Sequence, residues 1–150
     1  MRKSTVKTDQ SVDASYLQGL MGYNTRRASL VIIAQFMEGM APYDLRPVDF
    51  SVLSMILHNP GITSRQLCSS LNILPPNLVG MINALEKRAV VERLPHPSDG
   101  RALGLHLTAA GVELAKAAEI TASEIELTAT ARLTPTERKT LMRLLQKIYL

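Results

Sequence analysis

Apolar residues recur along most of the chain three and four positions apart, the spacing of helices with one buried face. "ASYLQGLMGYNTRRASLVIIAQFMEGM" carries Leu17, Leu20, Met21, Asn24, Ala28, Val31 and Ile32 along one stripe and predicts a long first helix. Gly19, Gly22 and Gly39 weaken it, so packing must hold it. "APYDL" breaks the pattern. Pro47, suited to a first helical position, then opens "RPVDFSVLSMILHN", with Val48, Val52, Met55 and Ile56 on one face. Asn59-Pro60-Gly61 ends that helix.

Two helices close together follow. "TSRQLCSSLN" starts with Thr63 and Gln66 at capping-box spacing, turns Leu67 and Leu71 inward, and stops at Asn72, a residue that tolerates the left-handed conformation. "ILPPNLVGMINALEKR" opens on prolines admissible only in a first turn and sets Leu78, Met81, Ile82 and Leu85 on one face. The period then drops to two. "VVERL" and "ALGLHL" predict the strands of a hairpin, with Leu103, Leu105 and Leu107 alternating. Thr108 caps a helix through "AAGVELAKAAEITASEIELTATA". Thr134, Pro135 and Glu137 open a last one, striped by Leu141, Leu144, Leu145 and Ile148. The fold class expected is mainly α with a small β-hairpin, and no internal repeat or low-complexity tract appears.

Composition narrows the function. With 150 residues, 46% hydrophobic and 20% charged, the chain has enough apolar material for a real core. Aromatic residues are only 4% and Trp is absent, which argues against stacking platforms for single-stranded nucleic acid. The lone Cys68 allows no intrachain disulfide and no cysteine-based zinc site, and its place beside Leu67 reads as packing. The beginning lacks a signal-peptide core and "LVIIAQFM" is too short for a membrane span, so a cytoplasmic protein with no membrane partner is expected. No nucleophile–base–acid set, phosphate-cradling loop or HExxH stands in the sequence, so no enzyme is expected. His96 and Asp99 on one loop do not make a metal site, and no cofactor is implied.

The net charge is +4, and the basic excess falls on the N-terminal tail and on the segment of the hairpin. Two helices joined by Leu71 to Pro75, with a hairpin directly after, read as a winged helix-turn-helix. A helix fits the major groove of duplex DNA while a hairpin tip reaches the neighbouring backbone or minor groove. The polar face of the second helix presents Pro76, Asn77, Gly80, Asn83, Ala84 and Lys87, and Arg65 lies on the helix before it. Asn offers adenine a donor and an acceptor together, while Gly80 and Ala84 leave room for base edges. In "RLPHPSDGRALGLHLTAAG" the tip supplies Arg93, His96, Asp99 and Arg101. Arg101 suits a phosphate rim or narrow minor groove, and Asp99 is expected to pair with Arg93 or Arg101 and hold the tip in one shape. The competing reading is a winged helix for protein contact alone, without specific DNA binding or ligand response.

The run "TSRQLCSSLNILPPNLVGMINALEKRAVVERLPHPSDGRALGLHLTAAG" resembles the DNA-binding core of the MarR family of bacterial transcriptional regulators. The "DGR" tip, the "LTAAG" helix start and the "LEKR…VER" passage carry the likeness, extended by "GYNTRRASL" and "LTPTERKTLMRLLQKI". Ala89 departs from it, standing where the family commonly has Gly. The resemblance implies a homodimer, with a flexible tail at about 1–12 and one MarR-like domain over 13–150. Dimerisation helices are expected at about 13–41 and 109–150 and the winged helix-turn-helix at about 46–107. It implies a pseudo-palindromic duplex target and a repressor released by a small aromatic or phenolic ligand. Met37, Met40, Tyr43, Arg46, Phe50 and His58 lie in or near the region where such a ligand is expected. Apolar surface on Leu17, Leu20, Leu144, Leu145 and Ile148 supports the dimer independently, being more than a small lobe can cover.

Overall fold

The computed structural model describes residues 12–150, so the expected tail lies, apart from Val12, outside the described residues. The expected first helix is not continuous. α1 (Ser15–Gln18) is a single turn, and α2 (Met21–Met40) restarts after Leu20 takes an extended conformation. The break is held by Asn24, whose Nδ2 donates to the carbonyl oxygens of Gln18 and Leu20, both at 2.8 Å. A side chain four to six residues downstream thus satisfies the carbonyls that the interrupted helix leaves open.

A 3-10 turn, Ala41–Tyr43, carries the chain into α3 (Pro47–His58) through Asp44 at φ 51°. Asp49 reaches back to accept the Arg46 main-chain N–H at 3.2 Å, tying down the first turn of α3. β1 (Ile62–Thr63) precedes α4 (Ser64–Leu71), and α5 (Pro75–Lys87) follows a short turn. β2 (Val91–His96) and β3 (Asp99–Leu107) form the hairpin, longer than "VVERL" and "ALGLHL" suggest. α6 (Ala109–Ala129) and α7 (Pro135–Tyr149) complete the chain.

The sheet has three antiparallel strands in the order β1-β3-β2, with Ile62 opposite Leu105 and Val91 opposite Leu107. β1 is not legible as a strand in the sequence, because two residues show no period. Gly104 admits it: a Cβ there would stand 2.9 Å from the Gly61 carbonyl oxygen.

The core gathers the inward faces of these elements. Met40 from α2, Val52, Leu53 and Ile56 from α3, Leu67 from α4, Leu78, Ile82 and Leu85 from α5, Leu105 from β3 and Ala118 from α6 are all buried. At its edge Phe36 and Phe50 meet edge to face with ring centres 5.4 Å apart. α7 takes no part and buries none of its residues. Its stripe stays open, with Leu144 47% and Ile148 66% exposed. The stripe near the start of the chain is also uncovered, at Leu17, Leu20, Met21 and Val31.

Candidate nucleic-acid interface

The two helices of the reading motif are fixed by their ends. Thr63 Oγ1 accepts the Gln66 main-chain N–H at 3.3 Å, while Gln66 Oε1 accepts the Thr63 N–H at 2.9 Å, a complete capping box. Asn72 turns left-handed at φ 51° and stops α4. Pro75 and Pro76 sit in the first turn of α5, where their missing N–H groups cost nothing. With Leu78, Ile82 and Leu85 buried, the opposite face of α5 presents Pro76, Asn77, Gly80, Asn83, Ala84 and Lys87 to solvent. Apart from the chain neighbours and main chain of its own helix turns, no atom lies within 4 Å of where a Gly80 Cβ would stand. Part of this face walls a groove of ≈ 660 Å³ whose other side is Arg46 and Val48 at the start of α3.

The wing is ordered by short local bonds rather than by the ion pair expected. Asp99 makes no salt bridge with Arg93 or Arg101; its Oδ1 accepts the Arg101 main-chain N–H at 3.1 Å. Asp99 therefore shapes the tip through the backbone and leaves the Arg101 guanidinium outward. Arg93 turns the other way, to α5, where Nη2 donates to Asn83 Oδ1 at 2.9 Å and lies 3.2 Å from Glu86 Oε2. His96 Nδ1 lies 3.3 Å from the Ser98 main-chain nitrogen and 3.1 Å from its hydroxyl, inside the turn. Among the described residues Arg65, Lys87 and Arg101 are exposed and form no ion pair. Cations without an intramolecular partner, an open helix face and a hairpin are the kinds of feature that duplex phosphate and its grooves attract.

Sequence reasoning passed over Arg88. It lies at the C-terminal end of α5, and its guanidinium donates to the carbonyl oxygens of Asp44 and Tyr43, each at 2.8 Å. The reading helix is thereby hung from the turn between α2 and α3. Basic residues at a helix C-terminus are a known signal, but the sequence does not say whose carbonyls they reach.

The residues expected around a ligand are dispersed in role. Met40 is fully buried in the core, while Met37 is exposed. Phe50 is half-buried against Phe36. Tyr43 Oη lies 2.8 Å from Thr121 Oγ1, joining the 3-10 turn to α6. Arg46 holds Asp49 in two bonds of 2.7 and 3.0 Å, and this bonding raises its pKa above the ordinary guanidinium value. His58 Nε2 is 2.8 Å from Glu119 Oε1, which also accepts the Ser54 hydroxyl at 2.7 Å, tying α3 to α6. Cys68 is half-buried and packs against the core. Among the described residues no helix is long and apolar enough to cross a membrane.

A short capped helix, a left-handed turn, a second helix with one face open and a hairpin beside it constitute a winged helix-turn-helix. The MarR family model matches residues 45–103, the span from the end of the 3-10 turn to the middle of β3. Over 154 aligned positions the chain is 29% identical to a putative transcriptional regulatory protein for the hcr operon of Thauera aromatica, covering 99% of this chain and 93% of that one. It is 30% identical over 128 residues to an HTH-type transcriptional repressor of Mycobacterium tuberculosis, covering 85% and 92%. That repressor's structure in complex with salicylic acid superposes with a TM-score of 0.70 at 29% identity, covering 86% and 96%. The transcriptional repressor CouR bound to a 23-mer DNA duplex superposes with a TM-score of 0.87 at 34% identity, covering 93% and 99%. CouR bound to p-coumaroyl-CoA gives 0.81 at 32%, covering 92% and 97%. The chain belongs to the MarR family: it is a transcriptional regulator and not an enzyme.

Proposed function

We propose that this regulator is a homodimeric repressor that binds a pseudo-palindromic duplex site in the cytoplasm and is released by a small aromatic or phenolic ligand. The observation that carries the reading is the open face of α5 beside the outward Arg101, on a chain 34% identical to a repressor solved on a DNA duplex. Asn77, Gly80, Asn83 and Lys87 meet the major groove in this reading, and Arg65, Arg101 and the wing meet phosphate or the minor groove.

Support for the dimer comes from apolar surface that a lone chain leaves wet. Leu141, Leu144 and Ile148 on α7, with Leu17, Leu20 and Val31 near the start, are exposed. An apolar stripe on a helix that buries nothing in its own chain calls for a second copy. Helices at about 13–41 and 109–150 form the joint, and the lobes at about 46–107 stand roughly one duplex turn apart, about 34 Å. For the ligand, support comes from the two relatives solved with salicylic acid and with p-coumaroyl-CoA. The corresponding region here runs from the end of α2 through Tyr43 and Arg46 to Phe50 and His58.

Light scattering with a duplex titration tests this. A dimer at micromolar concentration and a salt-dependent affinity for duplex are expected. Asn77→Ala weakens binding at certain bases only, whereas Arg101→Ala weakens it for all sequences. A monomer without affinity for any duplex at low salt overturns the proposal and leaves a protein-contact module. Aromatic acids and their thioesters are expected to raise the melting temperature and lower DNA affinity.

A further inference from the structure

Arg93 leaves β2 opposite Leu105 and crosses to α5, where its Nη2 meets both Asn83 Oδ1, at 2.9 Å, and Glu86 Oε2, at 3.2 Å. The Arg93 side chain is 35% exposed and that of Glu86 31%, so the pair is partly shielded from solvent and the guanidinium lies against α5. A guanidinium has donors and no acceptor. The end of the Asn83 amide turned toward it is therefore the carbonyl oxygen, the only half that can accept. That leaves Nδ2 as the free end of an exposed side chain on the open face of α5.

From this geometry we infer that Arg93 is a positioning residue that makes Asn83 a donor-only reader of base edges. The inference rests on the duplex-binding reading of α5 and deepens it. A free Asn offers both halves of its amide and pairs with adenine through N6 and N7. Here Arg93 takes one lone pair of the amide oxygen and fixes the amide's rotation with that oxygen turned toward β2, so Nδ2 is the half left for a base. A donor alone is satisfied by purine N7, guanine O6 or thymine O4, and is left facing a donor by cytosine N4. Asn83 thus discriminates by rejecting cytosine rather than by selecting adenine. The wing contributes to base reading through this bond without reaching the base itself.

The test is selection of duplexes from a randomised pool by the dimeric wild type, Arg93→Met and Asn83→Asp, with a salt titration on the best duplex of each. The wild type is expected to deplete cytosine about tenfold at one symmetry-related pair of positions. In Arg93→Met the amide is released, and adenine becomes the preferred base at that same pair. In Asn83→Asp the side chain keeps Arg93 but presents an oxygen, and preference at the pair moves to cytosine. Arg93→Met weakening all duplexes alike, with a shallower salt dependence, makes Arg93 a phosphate contact and overturns the inference. So do variants that alter different positions, or none. A wild type that enriches no sequence removes the duplex reading itself and the inference with it.

Discussion

Arg88 Nη1 donates to the main-chain oxygen of Asp44 at 2.8 Å, joining the end of the reading helix to a residue forty-four positions earlier. Its Nη2 takes the neighbouring Tyr43 oxygen at the same distance, and the Tyr43 hydroxyl in turn meets Thr121 on α6. One planar group thus binds α5 to the elbow between α2 and α3, and the elbow to α6. Arg88→Ala is expected to cost about 1 kcal/mol, the value of charged hydrogen bonds discounted for exposure. The melting temperature should fall by about 3 °C, with DNA affinity falling further because the lobe's angle is loosened. Arg88→Lys recovers little, since an ammonium cannot span two carbonyls as a fork. Unchanged melting and unchanged affinity in Arg88→Ala contradict this role.

Ala89 follows directly and takes φ 56°, left-handed for a residue with a Cβ. Its backbone is held there from both sides: its N–H donates to the Glu86 oxygen at 2.8 Å, and its oxygen accepts the Thr108 hydroxyl at 2.7 Å. The left-handed conformation costs alanine about 1–2 kcal/mol, against about 0.5–1 kcal/mol for the added freedom of an unfolded glycine. Ala89→Gly is therefore expected to stabilise by about 0.5–1 kcal/mol and raise the melting temperature by about 2–3 °C. Calorimetry showing a lower melting temperature refutes the argument.

Where the sequence was legible, the chemistry was local. The caps at Thr63, Thr108 and Thr134 each accept the N–H three residues on, and each helix begins where its cap stands. Asn72 likewise stops α4 as its residue type suggests. The division between α1 and α2 was not legible, since Asn24 sits on the apolar stripe and gives no sign that it caps backward. β1 was hidden because it is strand-like only by virtue of Gly104 opposite. The partners of Asp99 and Arg93 were misread for the same reason: adjacency in sequence favoured an ion pair across the tip, but the hairpin's register turns Arg93 toward Asn83 and Glu86. Met40, Tyr43 and His58 lie in the region where a ligand is expected, and what the sequence did not show is that each also has a contact within the chain.

The glycine in "LTAAG" has a steric reason. A Cβ on Gly111 would run into the Val90 carbonyl oxygen and lie 2.9 Å from its carbon, so the first turn of α6 rests on the main chain leading into β2. Main chain cannot swing aside. Gly111→Ala is expected to cost about 2–3 kcal/mol in spite of alanine's better helix propensity. Gly39 provides the control. A Cβ there would stand 2.5 Å from Ile125 Cδ1, the flexible end of a side chain. Gly39→Ala should fall within about 1 kcal/mol of wild type, because the propensity gain offsets the shift of Ile125. Chemical denaturation of the pair checks the order, and equal stabilities contradict it.

Glu137 lets acid reach α7 selectively. Its Oε2 accepts the Thr134 main-chain N–H at 2.8 Å and lies 3.0 Å from the Thr134 hydroxyl. Those bonds, the main-chain one foremost, hold its pKa below the ordinary 4.5. A carboxyl depressed by folding adds stability that is present in full above its unfolded value and is lost as pH falls through the folded one. In Glu137→Gln the amide keeps the capping geometry but not the charge. The wild type should therefore melt higher than Glu137→Gln at neutral pH. The gap is expected to stay constant down to about pH 5 and to close below about pH 4, where the wild-type carboxyl takes up its proton. Other carboxylates titrate in both proteins and cancel from the difference. A gap that does not change with pH shows that the charge contributes nothing and that hydrogen bonding alone starts α7.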